Sequence, residues 1–328
     1  MRAVRIDEFG GPGVLTPVEA PDPVPGPGEV LIRVEAAGVN RADALLRAGT
    51  YHRVGRPPLV PGLEAAGTVA AVGEGVDTVT PGQRVMAMGA GGFYAELALA
   101  PAARVTVLPD GVDPRQAAVL PVAWLSAWYS LTRLARVREG ETVVVQAAAS
   151  GVGSAAVQIA ARAGARVIAV ARSAEKVGWA AGFGADDTID TSAFPGDAAV
   201  DEVLRLTGGR GAEVVLDTVG GEVFAHSLRQ TGFAGRVVAL SNVALQPSTV
   251  DTRDFYPKNV TIHGFQLTGL LEHGYDPRPD LAEIAAGVAS GGFRVPIEAV
   301  FPLAEAARAH EQLECRANRG KIVLTPGS

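Results

Sequence analysis

The stretch Thr142-Val-Val-Val-Gln146-Ala-Ala-Ala-Ser150-Gly151-Val152-Gly153-Ser154 joins an apolar run, a turn of small side chains and the start of an Ala-rich segment. A strand, a tight turn and a helix in that order suit a dinucleotide pyrophosphate. The backbone can approach the phosphates closely, and the helix start presents free N–H groups and a partial positive charge. Ser150, Gly151, Val152 and Gly153 are the candidate phosphate-binding residues. The plain G-x-G-x-x-G fingerprint is not met, because Ala148 and Ser150 stand at its first two glycine positions. The reading rests on the strand–helix–strand setting. An ordinary strand–helix turn is the alternative.

About 20 residues past Gly153, a second apolar strand ends in Ala171-Arg172-Ser173-Ala174-Glu175-Lys176. The adenosine ribose is read at such a strand end, where an acid would accept the 2′-hydroxyl of NAD. No acid stands at the tip, and Glu175 falls inside the following helix. Arg172, Ser173 and Lys176 offer two cations and a hydroxyl, which suit a 2′-phosphate. NADPH is therefore the expected cofactor. A solvated basic turn capped by Ser173 is the other reading.

These residues need a frame. Residues 122–265 alternate apolar strands with helices. The strands are expected at Thr142–Gln146, Arg166–Ala171, Glu213–Asp217 and Arg236–Leu240, with a helix from Gly153 to Ala163 stopped by Gly164. That alternation is the pattern of a parallel sheet covered on both faces. Residues 1–121 read as short strands broken by Gly and Pro, such as Glu29–Val34, Gly67–Gly73 and Gly82–Ala87, which suggests a small β-barrel. Residues 266–328 return to short elements. The fold class is α/β with two domains, as a length of 328 residues suggests.

Composition narrows the function. A net charge of -6 argues against general nucleic-acid binding, which needs a surplus of Lys and Arg. The single cysteine, Cys315, allows no intrachain disulfide. No apolar run approaches the ~20 residues that span a bilayer. With a charged, strand-like start and no signal peptide, a cytoplasmic location is expected.

Taken in order, several motifs resemble those of the zinc-independent quinone oxidoreductases of the medium-chain dehydrogenase/reductase superfamily. They are Asn40-Arg-Ala-Asp43, Arg47-x-Gly49-x-Tyr51, Pro61-Gly-Leu-Glu-Ala-Ala-Gly67, Pro81-Gly-Gln-Arg-Val85, Gly92-Phe-Tyr-Ala-Glu96, Ala148–Gly153, Leu206–Gly211, Asp217-Thr-Val-Gly-Gly221 and Gly320-Lys-Ile-Val-Leu324. The resemblance covers essentially the whole chain. It implies a GroES-like barrel from residues 1–121 and 266–328 around a Rossmann domain at 122–265. It also implies a homodimer, commonly formed by joining Rossmann sheets edge to edge.

By the same resemblance, Asn40, Asp43 and Tyr51 line the cleft near the nicotinamide. Asn40 is expected to donate to substrate oxygen or cofactor, Tyr51 to donate a bond or a proton, and Asp43 to orient its neighbours; loop stabilisation is the alternative for each. Ser126 and Tyr129 on the entering helix, Asn242, Gly264, Phe265 and Gln266 after later strands, and Arg316 near the end match cofactor contacts. Thr191 stands where the family has a cofactor-contacting tyrosine, and Leu45 where some members have a second active-site tyrosine. The zinc-dependent relatives' histidine is Leu63, no cysteine lies near Gly38–Asn40, and the four-cysteine lobe is missing. No metal is therefore expected, and Glu64 reads as a structural or network residue.

Without a Lewis acid, an isolated carbonyl is poorly polarised, whereas a conjugated acceptor spreads the incoming charge. The expected activity is NADPH-dependent reduction of a quinone. Reduction of an activated C=C, in an enone or enoyl thioester, is the close alternative. A non-enzymatic nucleotide-binding or RNA-associated protein is the alternative of another class.

Overall fold

The computed structural model describes residues 1–51, 55–315 and 318–327. Two compact units divide the chain: Met1–Leu125 with Gly274–Ser328, and Ser126–His273. Residues 122–125 go with the first unit, where the Val122 N–H is bonded to Glu64 and Trp124 packs on Phe293. Residues 266–273 go with the second, because Gln266 caps the short helix Leu267–Glu272 directly after the last strand of its sheet.

The first unit is built on a seven-stranded sheet. Its order is Ile297–Pro302, Lys321–Thr325, Glu29–Val39, Glu64–Val72, Arg84–Met88 and Val105–Val107, and Leu97–Pro101 also pairs with Glu29–Val39. Only the first two strands are parallel. The long strand Glu29–Val39 buries alternate residues Val30, Ile32 and Val34 against Ile6, Phe93, Tyr94 and Leu324, the period-2 pattern of a one-sided sheet. The sheet thus brings residues near 40, 64 and 321 together from distant parts of the chain. The 12-residue helix Arg278–Ala289 lies in the tail where only short elements were expected. Its apolar residues Leu281, Ile284, Ala285 and Val288 recur at helical spacing, as a buried stripe requires.

The second unit is a six-stranded parallel sheet ordered Asp187–Asp190, Arg166–Ala171, Thr142–Val145, Ala212–Asp217, Thr231–Ala239 and Thr261–Gly264. All five strand pairs are parallel. The chain starts at Thr142–Val145, runs outward to one edge, then returns to the other side. The order therefore reverses between Thr142–Val145 and Ala212–Asp217, where doubly wound sheets bind ligands beyond their carboxyl ends. The strands Thr142–Val145 and Ala212–Asp217 are buried almost throughout, as expected for a sheet covered on both faces.

Candidate functional site

In the second unit, parallel pairing puts every strand's carboxyl end on one edge. Ser150, Arg172, Thr191, Asn242 and Gly264 all belong to loops or strand ends there. Ser150 is the N-cap of the helix Gly151–Arg162, and its Oγ accepts from the Gly153 N–H at 3.0 Å. The N–H groups of Gly151 and Val152 belong to the first turn, which has no intrahelical acceptors. A Cβ at residue 153 would overlap the Ala147 carbonyl oxygen and stand 2.7 Å from the Ala148 Cα. Gly153 therefore lets the helix start press against the turn, the role of the last glycine in a dinucleotide fingerprint. Ala147, at φ 50°, takes the left-handed turn conformation that glycine commonly supplies.

Arg172 is exposed at the end of Arg166–Ala171, and Ser173 caps the helix Ala174–Ala181 by accepting from the Lys176 N–H at 3.3 Å. The Ser173 hydroxyl hydrogen is not used by that bond, so the cap and a donor role are compatible. Thr191 is tied to the neighbouring strand end through its N–H and the Ala171 carbonyl, at 2.8 Å. Ser126 is buried, and the Tyr129 ring lies 5.8 Å from the Phe265 ring. The Asn242 Nδ2 donates to the Gln246 carbonyl at 2.8 Å, and Gln266 accepts from the Gly269 N–H as a helix cap.

Asp217, which ends the fourth strand in chain order, shapes the adjoining turn. Its Oδ1 accepts from the Val219 and Gly220 N–H groups at 2.7 and 3.0 Å, and its Oδ2 from Ser227 Oγ at 3.1 Å. Burial raises the Asp217 pKa against the lowering effect of those bonds. Gly220 and Gly221 both have positive φ, which the doubled turn requires. Arg316 lies outside the described residues.

The first unit holds a buried polar cluster. Asn40 is the N-cap of the helix Arg41–Arg47, and its main-chain N–H donates to Asp43 Oδ2 at 2.8 Å. Asn40 Nδ2 donates to Glu64 Oε1 at 2.8 Å. Lys321 Nζ donates to Asn40 Oδ1, to the Val39 carbonyl at 3.0 Å and to Glu64 Oε1 at 3.0 Å. Glu64 Oε2 accepts the Val122 N–H at 2.7 Å. The side chains of Lys321 and Glu64 are only 6% and 0% exposed. Gly38 makes the space: a Cβ there would overlap Glu64 Oε1 and stand 2.7 Å from the Ala118 carbonyl oxygen.

Asp43 belongs to a second chain of contacts. Tyr94 Oη donates to its Oδ2 at 3.3 Å and lies 3.1 Å from His310 Nε2. His310 Nδ1 is 3.3 Å from Arg47 Nη1, and Arg47 Nη2 is 2.5 Å from Glu314 Oε1. Asp43 Oδ1 is buried with no partner. Burial pushes the Asp43 carboxyl up to about 7, against its bond from Asn40 and the nearby Lys321 charge. Burial and the Arg47 charge push His310 down to about 3. Burial, then the Asp43 charge, raise the Tyr94 hydroxyl well above its usual value.

The structure thus joins Asn40 and Asp43 directly. Tyr51 is half-buried against the barrel core, and its main-chain N–H bonds to the Leu45 carbonyl at 3.1 Å. Lys321, Tyr94, His310 and Arg47 were not among the residues expected at the site. Lys321 carried one readable signal, a lysine opening the otherwise apolar Lys321-Ile-Val-Leu strand.

A bound zinc does not fit this donor set. Leu63 precedes Glu64, both Glu64 oxygens already accept hydrogen bonds, and Lys321 supplies the balancing cation. Among the described residues, no group of three or more His, Cys, Asp or Glu side chains is arranged to hold a metal. No helix among them is long and apolar enough to cross a membrane.

Comparison with known proteins agrees with this architecture. Residues 26–110 match the alcohol dehydrogenase GroES-like domain family, and residues 151–286 match the zinc-binding dehydrogenase family. The quinone oxidoreductase of Lama guanicoe is 33% identical over 327 residues, covering 99% of this chain and 97% of that protein. A mycobacterial protein solved in complex with NADPH is 37% identical with a TM-score of 0.91, covering 99% of this chain and 100% of that one. A solved NAD-dependent alcohol dehydrogenase is 33% identical with a TM-score of 0.90, covering the whole of both chains. With one fold accommodating different cofactors and substrates, the family is established before its acceptor: this chain belongs to the quinone oxidoreductases of the medium-chain dehydrogenase/reductase superfamily and is an oxidoreductase.

Proposed function

We propose that the protein reduces quinones with NADPH and without zinc. One observation carries the acceptor reading: Glu64 can only accept and all three N–H groups of Lys321 are committed, so among the described residues the donor left in that cluster is a neutral amide N–H of Asn40. A single neutral donor stabilises the charge that hydride addition localises on an isolated carbonyl oxygen less than a metal ion or a cation would. A quinone spreads that charge over its conjugated system, and one or two neutral donors then suffice.

The second unit's residues suit the cofactor. The N–H groups of Gly151 and Val152 would hold the pyrophosphate, and Arg172, Ser173 and Lys176 the 2′-phosphate. NADPH, when bound, supplies the hydride. The chain's own task is to fix both reactants, to exclude water and to offer the Asn40 N–H to the acceptor's oxygen. Tyr51 is the candidate second donor.

The test is NADPH consumption with 1,4-benzoquinone, 9,10-phenanthrenequinone, an enone and a saturated aldehyde in parallel. Turnover highest with the quinones supports the reading. Highest turnover with the enone moves the activity to an activated C=C, and highest turnover with the aldehyde overturns the mechanism.

A further inference from the structure

We propose that Lys321 is a positioning residue that fixes the side-chain amide of Asn40 in one orientation, leaving one N–H of that amide for the acceptor. The inference rests on the reading that Asn40 donates to the acceptor's oxygen.

Donor and acceptor inventory sets the orientation. An ammonium has three N–H groups and no acceptor. All three of Lys321 are committed, to the Val39 carbonyl, Asn40 Oδ1 and Glu64 Oε1. Lys321 therefore has no hydrogen left for a ligand and acts only through its neighbours. A carboxylate accepts and never donates, so Glu64 Oε1 calls for an N–H from Asn40, which Nδ2 supplies at 2.8 Å. Turning the amide over would set Nδ2 against the ammonium and Oδ1 against the carboxylate. Both contacts would be repulsive, in a cluster that burial shields from water.

One of the two Nδ2 hydrogens is used by Glu64. The other has no acceptor among the described residues, and Asn40 keeps 8% of its surface exposed. Asn40 is also held from behind, since its main-chain N–H is bonded to Asp43 at 2.8 Å. The amide is thus gripped at its oxygen, at one hydrogen and at its backbone, which pre-orients the remaining N–H.

The lysine is separated from Asn40 by 281 positions and reaches it because Lys321–Thr325 pairs antiparallel with Glu29–Val39. The pairing sets Ile322 opposite Val39, and the same register carried one residue further, at the strand end, brings Lys321 level with Asn40. The side chain then spans the strand end to reach the helix cap.

The experiment compares the wild type with Lys321→Met and with the double variant Lys321→Met/Glu64→Gln. The double variant removes both charges, so no unpaired carboxylate stays buried if the single variant fails to fold. Turnover of 1,4-benzoquinone, KM for the quinone, fluorescence titration of NADPH and the ¹⁵N-edited side-chain amide signals of Asn40 are measured on each. The expected result is a protected Asn40 amide in the wild type that exchanges freely in the double variant. The kcat should fall about ten- to a hundredfold, as loss of one oriented donor does, with NADPH affinity kept within about twofold. A folded double variant with wild-type kcat overturns the proposal. So does a wild-type Asn40 amide that exchanges as fast as exposed amides. If the wild type reduces neither quinone nor enone, the acceptor reading falls, and the amide signals still decide the clamp.

Discussion

Arg47 fixes the proton of His310. A guanidinium can only donate, so the 3.3 Å contact from Arg47 Nη1 makes His310 Nδ1 an acceptor. The imidazole proton then sits on Nε2 and points to Tyr94 Oη, whose own hydrogen goes to Asp43 Oδ2. Donors run one way, from Arg47 to Asp43. Because Oδ2 also accepts from Asn40, a protonated Asp43 carries its hydrogen on Oδ1. Asp43 and Arg47 lie one helical turn apart, and the chain joins them through two side chains from other parts of the first unit.

This chain predicts a compensation in the pH dependence of stability. Asp43, at about 7 in the fold against 3.8 as its ordinary value, keeps a proton that unfolding releases. Its contribution to stability therefore falls as pH rises from about 4 to 7. His310, at about 3 against 6.5, lacks a proton that unfolding takes up, so its contribution rises with pH from about 3 to 6.5. The two slopes oppose each other over their shared window. Urea unfolding of the wild type and Asp43→Asn at pH 4, 5 and 6 isolates the first. The variant's stability relative to the wild type should climb with pH across that range, and a constant difference would remove Asp43 as a titrating group.

Replacing His310 by Leu should destabilise the first unit by about 2–4 kcal/mol. It leaves an Arg47 N–H without its acceptor and takes a donor from Tyr94, and groups orphaned in burial cost roughly 1–3 kcal/mol each. Chemical denaturation followed by tryptophan fluorescence measures it. A loss under about 0.5 kcal/mol, the range of ordinary surface changes, would contradict the chain.

Cofactor choice should follow the second strand's tip. NADPH is expected to bind at least about tenfold more tightly than NADH, since one charge-assisted phosphate contact is worth roughly 1.5–3 kcal/mol. Arg172→Ala should weaken NADPH and leave NADH nearly unchanged. Fluorescence titrations of both cofactors against both proteins decide this, and equal affinities in the wild type would refute it.

Much of the frame was legible because periodicity and turn residues are local. The strand–turn–helix at 142–162 and the strand Arg166–Ala171 could be read from apolar runs and small residues alone. The clamp was not legible, because Lys321 and Glu64 meet only through sheet pairing across 257 positions. Nor was the Arg47–His310 contact, since a lone histidine at 310 carries no spacing that names its partner. Asn40 and Asp43 stood out through a motif, and their joint role as a helix cap follows from their spacing of three.

Activity should survive metal removal. Leu63 and the Lys321–Glu64 pair leave no ligand set at the position that zinc-dependent relatives use. Prolonged chelation followed by elemental analysis and a quinone assay is the check. Stoichiometric zinc whose loss abolishes turnover would overturn it.

Gly153→Ala should weaken NADPH binding by at least about tenfold, because the added methyl overlaps the Ala147 carbonyl oxygen and forces the helix start away from the turn. Titration beside a thermal melt separates a local shift from global unfolding. An unchanged affinity would mean that the turn yields without moving the phosphate-binding groups.

The chain leaves the first unit at residue 125 and rejoins it at 274. On the ribosome, Ser126–His273 emerges with all six of its strands before the first unit has its last ones. Glu64 is made early and its ammonium partner 257 residues later, so until then the barrel must keep that carboxylate hydrated and its sheet open. Completion of the interior and delivery of the amide clamp thus wait on the same last strand of each newly made molecule.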